Sequence, residues 1–131
     1  MKYLLDVSAL VALGAVEHEF HQITARWVKN LEADDELVTC AITELGFVRI
    51  LSNVSQYGFT VSQAQALLLR LKNAGRVRFV FLPDDADASQ LPAWVRAPIQ
   101  ITDGHLVQLA EAHEAVLATL DRSIPGAHLI P

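Results

Sequence analysis

Residues 2–16, KYLLDVSALVALGAV, set one carboxylate inside an otherwise apolar run. An ionised carboxylate left alone in an apolar interior is strongly unfavourable, so Asp6 must stand at an edge, be paired, or hold a cation. Working outward from that residue, KYLLD reads as a strand ending on an acid, and Ser8 reads as the N-cap of a short helix through ALVALG. Lys2, the apolar run and the small residues of ALGA also imitate a secretory leader. A charge in the middle of the apolar segment argues against that reading.

The same alternation continues along the chain. A helix over 18–31 carries Phe20, Ile23, Trp27 and Leu31 at helical spacing, and ELVTC (36–40) is the second strand. Thr43 caps a helix with the stripe Phe47, Ile50, Leu51 and Val54, closed by Tyr57-Gly58. Thr60 and Gln63 form a capping box ahead of a helix bearing Ala64, Leu67, Leu68 and Leu71. RVRFVFL (76–82) is a third strand, and the segment 83–98, rich in Pro and Asp, predicts turns and a short helix. IQIT reads as extended up to Thr102, the N-cap of a helix through Leu106, Leu109, Ala110 and His113. AVLATL (115–120) is the fourth strand, and AHLI (127–130) is a candidate fifth. Strands that are apolar at nearly every residue, separated by amphipathic helices, predict a three-layer α/β/α sandwich around a mostly parallel four- to five-stranded sheet, formed by residues 1–131 as one domain.

The totals fit that picture. The chain has 131 residues, 52% of them hydrophobic, and a net charge of −5, which points away from a protein that coats nucleic acid by bulk charge. Arg70, Lys72, Arg76 and Arg78 form a local basic cluster, read most simply as a solvated helix end. No apolar stretch reaches the roughly 20 residues of a membrane span. The single Cys40 allows no internal disulfide and is compatible with a cytoplasmic location.

Open parallel sheets place ligands beyond the carboxyl ends of their strands. Asp6 and Asp121 leave the first and fourth strands, Asp103 opens the helix after IQIT, and Glu44 opens the helix after the second strand. Each taken alone is also explained by a helix dipole or a turn. Together at one sheet edge they repel unless a cation neutralises them, and all-oxygen ligands favour Mg²⁺, with Mn²⁺ as substitute. Such a centre suits phosphodiester hydrolysis by activated water. No Walker loop, nucleophile elbow or zinc-spaced Cys/His set competes with it. His18 and His21 lie three apart on one helix, without an evident third ligand for a metal. His105, Arg49 and Arg122 are candidates for contact with substrate phosphate.

Four stretches in order, LLDVSALVAL, TELGFVRIL, ITDGHLVQLA and LATLD, resemble the PIN-domain ribonucleases, and among them the VapC toxins of toxin-antitoxin pairs. By position, the family's acidic quartet falls on Asp6, Glu44, Asp103 and Asp121, with Ser8, Thr102 and Thr119 at the accompanying hydroxyl positions. The resemblance implies a cytoplasmic Mg²⁺- or Mn²⁺-dependent endoribonuclease, dimeric and held inactive by a VapB-type antitoxin. It implies products with a 5′-phosphate and a 3′-hydroxyl. Two features depart from the pattern: Ser123 and its neighbours supply no further acid after Asp121, and AEAHEAVLATL lacks the glycine common between that helix and strand. Two rival expectations are a phosphatase or phosphoacceptor domain, for which Ser8 stands where a second Asp is wanted, and a non-catalytic interaction domain.

Overall fold

The structure, a computed structural model, describes residues 1–131. Its strands are β1 (Lys2–Leu5), β2 (Glu36–Cys40), β3 (Arg78–Leu82), β4 (Val116–Thr119) and β5 (His128–Leu129). They pair in the order β3-β2-β1-β4-β5, and every pair is parallel. The helices are α1 (Val7–Gly14), α2 (His21–Lys29), α3 (Ala41–Asn53), α4 (Val61–Ala74) and α5 (Ile101–Ala112). None is long and apolar enough to cross a membrane.

Each strand divides its side chains between two cores, because successive residues face opposite sides of a sheet. Leu5, Leu37 and Ala118 join the cluster under α1, α3 and α4, around the fully buried Phe47 and Leu51. Leu4, Val38 and Leu117 join the cluster under α5, with Leu106, Leu109 and Ala110. Burial on both faces explains why the strand interiors are mostly apolar while the charged residues Lys2, Glu36 and Arg78 stand at strand starts. Gly46 and Gly104 set two of the close contacts. A Cβ on Gly46 would lie 2.6 Å from Val7, where α3 meets α1, and one on Gly104 would lie 2.2 Å from Val95, where the loop before α5 lies on its first turn.

Several local expectations differ from what forms. Asp6, not Ser8, caps α1: its Oδ1 accepts from the Ala9 amide at 2.8 Å, and Ser8 is exposed. Cys40 is the N-cap of α3, and Thr43 sits three residues inside, where its hydroxyl accepts from the Cys40 amide at 3.0 Å. IQIT is not extended. Pro98–Gln100 forms a 3₁₀ turn that runs into α5, which leaves Thr102 inside the helix and exposed. The helix expected from residue 18 begins at His21. The Thr60–Gln63 capping box does form, with bonds of 3.1 and 2.9 Å, and AHLI does supply the fifth strand. The basic cluster is solvated at Arg70, Arg76 and Arg78 and is also partly paired: Lys72 pairs with Glu44, Arg78 with Glu36, and Arg76 donates to the carbonyls of Lys29 and Leu31.

The missing glycine before β4 has a visible cost. Glu114 occupies that connection with φ at 58°, in the left-handed region that costs a residue with a Cβ roughly 1–2 kcal/mol. Glu114→Gly is expected to stabilise the chain by up to about 1 kcal/mol, the relief of strain less the extra chain entropy of glycine. Equilibrium urea unfolding measures it, and an unchanged or lower midpoint contradicts the assignment of strain.

Candidate active site

The strand order puts the exits of β1 and β4 side by side. Leu5 lies in register with Ala118, so the next residues, Asp6 and Thr119, are neighbours; the Asp6 amide extends the ladder to the Ala118 carbonyl at 3.2 Å. Asp6 is only 6% exposed, and both its oxygens have donors. Oδ1 takes the Ala9 amide at the start of α1, and Oδ2 takes the Thr119 hydroxyl at 2.5 Å. The same Thr119 oxygen accepts the Asp121 amide at 3.0 Å. Thr119 is therefore the hinge that fixes one acid's carboxylate against the other's backbone.

Burial pushes the Asp6 carboxyl above the usual carboxylate range; its two hydrogen bonds oppose that, and the charges of Asp103 and Asp121 add to it. Asp103 is pushed up as well, first by burial and then by Asp121. Asp121 goes the other way. Its Oδ1 accepts the Ser123 amide at 2.8 Å and the Ser123 hydroxyl at 2.7 Å, and these bonds hold its carboxyl below the usual range. Ser123, which stands where no further acid follows, thus orients Asp121. The structure brings these three aspartates into one electrostatic field.

Glu44 stands differently. Its Oε2 is taken by Lys72 Nζ at 2.6 Å and by the Thr39 hydroxyl at 2.5 Å, so its charge is already neutralised within the chain. Lys72 also lies 5.7 Å from the centroid of Phe81. No three His, Cys, Asp or Glu side chains stand close enough together to enclose an ion directly. The oxygens with no protein donor are those of Asp103, Oδ2 of Asp121 and Oε1 of Glu44. An all-carboxylate set of oxygens free of protein donors fits a hard divalent ion in chemistry.

The remaining sequence candidates fall into two groups. His105 is held by Asp84 on the loop after β3, at 2.5 Å from Nε2, so it is spent on an internal pair. Arg49 and Arg122 are exposed and make no ion pair. His18 and His21 do not act as a ligand pair: Nδ1 of His21 is bonded to the Ala12 carbonyl and that of His18 to the Phe20 amide. Thr39, Lys72, Ser123 and Asp84 lie outside the sequence expectations. The first two follow Glu44 only through β2 and α4 packing, and no spacing signals them.

An open parallel sheet with acids at the exits of its central strands defines a class of carboxylate-bearing α/β domains. The PIN domain family pattern matches residues 3–127, and the chain belongs to that family. Its sequence is 35% identical to ribonuclease VapC44 of Mycobacterium tuberculosis, over 97% of this chain and 94% of that protein. It is 32% identical to ribonuclease VapC29 of the same organism, over 98% and 92%. Among solved structures, VapBC2 from Rickettsia felis bound to a DNA fragment from its promoter shares the fold, with a TM-score of 0.66 at 15% identity over 98% of this chain and 97% of that one.

Because the folded chain holds the Asp6 proton more tightly than the unfolded chain, ionising Asp6 costs stability as pH rises between its unfolded and folded pKa values. Without metal, Asp6→Asn is therefore expected to raise the melting temperature at neutral pH. The gain should vanish below 3.8, where both states are protonated. Thermal melts across pH in the presence of chelator test this; coincident melting at neutral pH contradicts it.

Proposed function

We propose that this chain, as one PIN-like unit, is a Mg²⁺- or Mn²⁺-dependent endoribonuclease and the toxin of a VapBC-type pair. The observation that carries it is the meeting of Asp6 and Asp121, at adjacent strand exits, with Asp103 in the first turn of α5, close enough that Asp103 and Asp121 act on Asp6 and Asp121 acts on Asp103. The curated relatives named as VapC ribonucleases support it by covering nearly the whole chain.

Asp103 and Asp121 offer carboxylate oxygens free of protein donors, and with Asp6 they would hold the ion directly or through water. A bound Mg²⁺ or Mn²⁺ supplies the charge that lowers the pKa of water and offsets negative charge on the leaving oxygen. Asp6 contributes rigidity, since the α1 amide and Thr119 hold both its oxygens. Asp121 stays ionised at neutral pH because Ser123 donates twice to it. Asp103, raised by burial and by Asp121, is the carboxyl best able to take a proton from an adjacent water. Glu44, released from Lys72, would position water or substrate. Ser8 and Thr102 are exposed hydroxyls flanking two of the acids.

The VapBC complex that shares this fold supports a VapB-type antitoxin as partner, and the family resemblance supports a homodimer in the cytoplasm. The Glu44–Lys72 pair is the one observation that favours a binding-only domain, because it removes a carboxylate from the acidic group. Calorimetric titration with Mg²⁺ separates the two readings: a binding-only domain takes up none.

Cleavage of RNA is expected to require Mg²⁺ or Mn²⁺, to stop with EDTA, and to leave 5′-phosphate and 3′-hydroxyl ends. Asp6→Asn, Asp103→Asn and Asp121→Asn should each lower the rate by about 100-fold or more, since even partners behind a metal ligand are worth 10–100-fold. Gel analysis of labelled RNA measures this, and a folded Asp6→Asn chain that cuts at the parent rate refutes the assignment.

A further inference from the structure

Beside the acids lies a cleft of about 490 Å³ whose aromatic walls the reaction described above does not use. Asp121 and Ser8 form its rim towards the reaction centre, and Phe20, Tyr57 and His18 supply its aromatic walls. Phe20 is 39% exposed, a large apolar residue to leave open so close to charge. Glu17 and Glu19 give the cleft two carboxylates beyond Asp121, so it repels a phosphate group. Its volume is within the roughly 300–1,000 Å³ of small-ligand clefts.

What suits such walls is a flat, uncharged ring with donors on its edge. His18 narrows the choice. Its Nδ1 accepts the Phe20 amide at 3.0 Å, which leaves the ring's single proton on Nε2; burial holds this imidazole below its ordinary range, so it stays neutral. The cleft thus offers carboxylate acceptors, the amide of Gln56 and one imidazole donor. A guanidinium side chain would satisfy the carboxylates but has no acceptor for His18. Guanine has both: its N1–H and N2–H₂ match a carboxylate, and its O6 and N7 accept.

Tyr57 is also a wall of a second groove, of about 790 Å³, that holds Arg70, Gln63 and Asn73. Arg70 is the one member of the basic cluster with no carboxylate or carbonyl partner in the chain. Charge therefore changes sign across Tyr57, from a cleft that excludes phosphate to a groove that attracts it. Such an alternation suits the spacing of base and backbone in a single strand, which proteins hold by aromatic stacking and a basic path.

We propose that the cleft between Phe20, Tyr57 and Asp121 seats a guanine base next to the scissile phosphate of single-stranded RNA, and that the strand continues over Tyr57 to Arg70. This rests on the nuclease reading for its substrate, but its test does not require cleavage. The probes are fluorescein-labelled oligouridylates carrying one central guanosine, inosine or abasic site. Their binding to the uncleaving Asp103→Asn chain is followed by anisotropy, and their cleavage by the parent chain on gels.

Guanosine is expected to bind about five-fold or more tighter than the abasic probe, and tighter than inosine, which lacks the N2 amine. In the Asp103→Asn background, adding Phe20→Ala should erase the advantage over the abasic probe, and adding Glu19→Gln should narrow the preference over inosine. Adding Arg70→Ala should weaken all three probes alike and flatten their salt dependence. Equal binding of the three probes, or a Phe20→Ala loss that is the same on all of them, overturns the proposal. Base-blind cleavage by the parent chain would sink the subsite and leave the nuclease reading standing. Guanosine-dependent binding without cleavage in Mg²⁺ or Mn²⁺ would do the reverse. An oligoarginine peptide that binds through Phe20 while RNA binding stays base-blind would assign the cleft to a basic protein segment and also overturn it.

Discussion

A carboxylate buried at the end of the central strand is the constraint around which this molecule is arranged. Asp6 is acceptable there only because the first turn of α1 donates an amide to one oxygen and Thr119 donates a hydroxyl to the other. Those two donors come from very different distances along the chain, one three residues away and one 113 residues away. Slipping β4 by one residue against β1 would turn the Thr119 side chain to the other face of the sheet and leave Asp6 buried with a lost partner. Strand register, the start of α1 and the geometry of the acidic group are thus one interlocked requirement.

From that requirement follows a division of labour among like charges. Asp6 and Asp103 are driven up by burial and by their neighbours, while Asp121, at the exposed end of the group, is held down by the two donors of Ser123. Environments that separate the pKa values of adjacent carboxyls are how one site holds both an acid and a base. Glu44 is kept out of this field by Lys72, which neutralises it against α4. The acidic group is therefore a trio with a fourth member held apart, a distinction that four acids at strand exits do not convey by themselves.

The apolar strands, the amphipathic helices and the Thr60–Gln63 box were legible because each is a local pattern whose partners lie within four residues. The caps of α1, α3 and α5 were misread for one shared reason. Ser8, Thr43 and Thr102 are good capping types, but capping depends on which residue has extended backbone at the strand exit. Asp6 and Cys40 hold that position, and the 3₁₀ turn of Pro98–Gln100 removes it before α5. Glu114 shows the converse: the absent glycine was visible in sequence, and its consequence, a left-handed residue, appears only once the chain must turn from α5 into β4.

Composition and periodicity by themselves determined the layered α/β architecture, four strands with a candidate fifth, and the four acids at or near strand exits, because those depend on residue type and spacing along the chain. Only the tertiary structure decided which acids share a field, that Thr119 joins Asp6 to Asp121, that Lys72 claims Glu44 and that Asp84 claims His105. Each of these is a contact between elements far apart in sequence, made when the sheet order brings their ends together, and no local pattern encodes such a meeting.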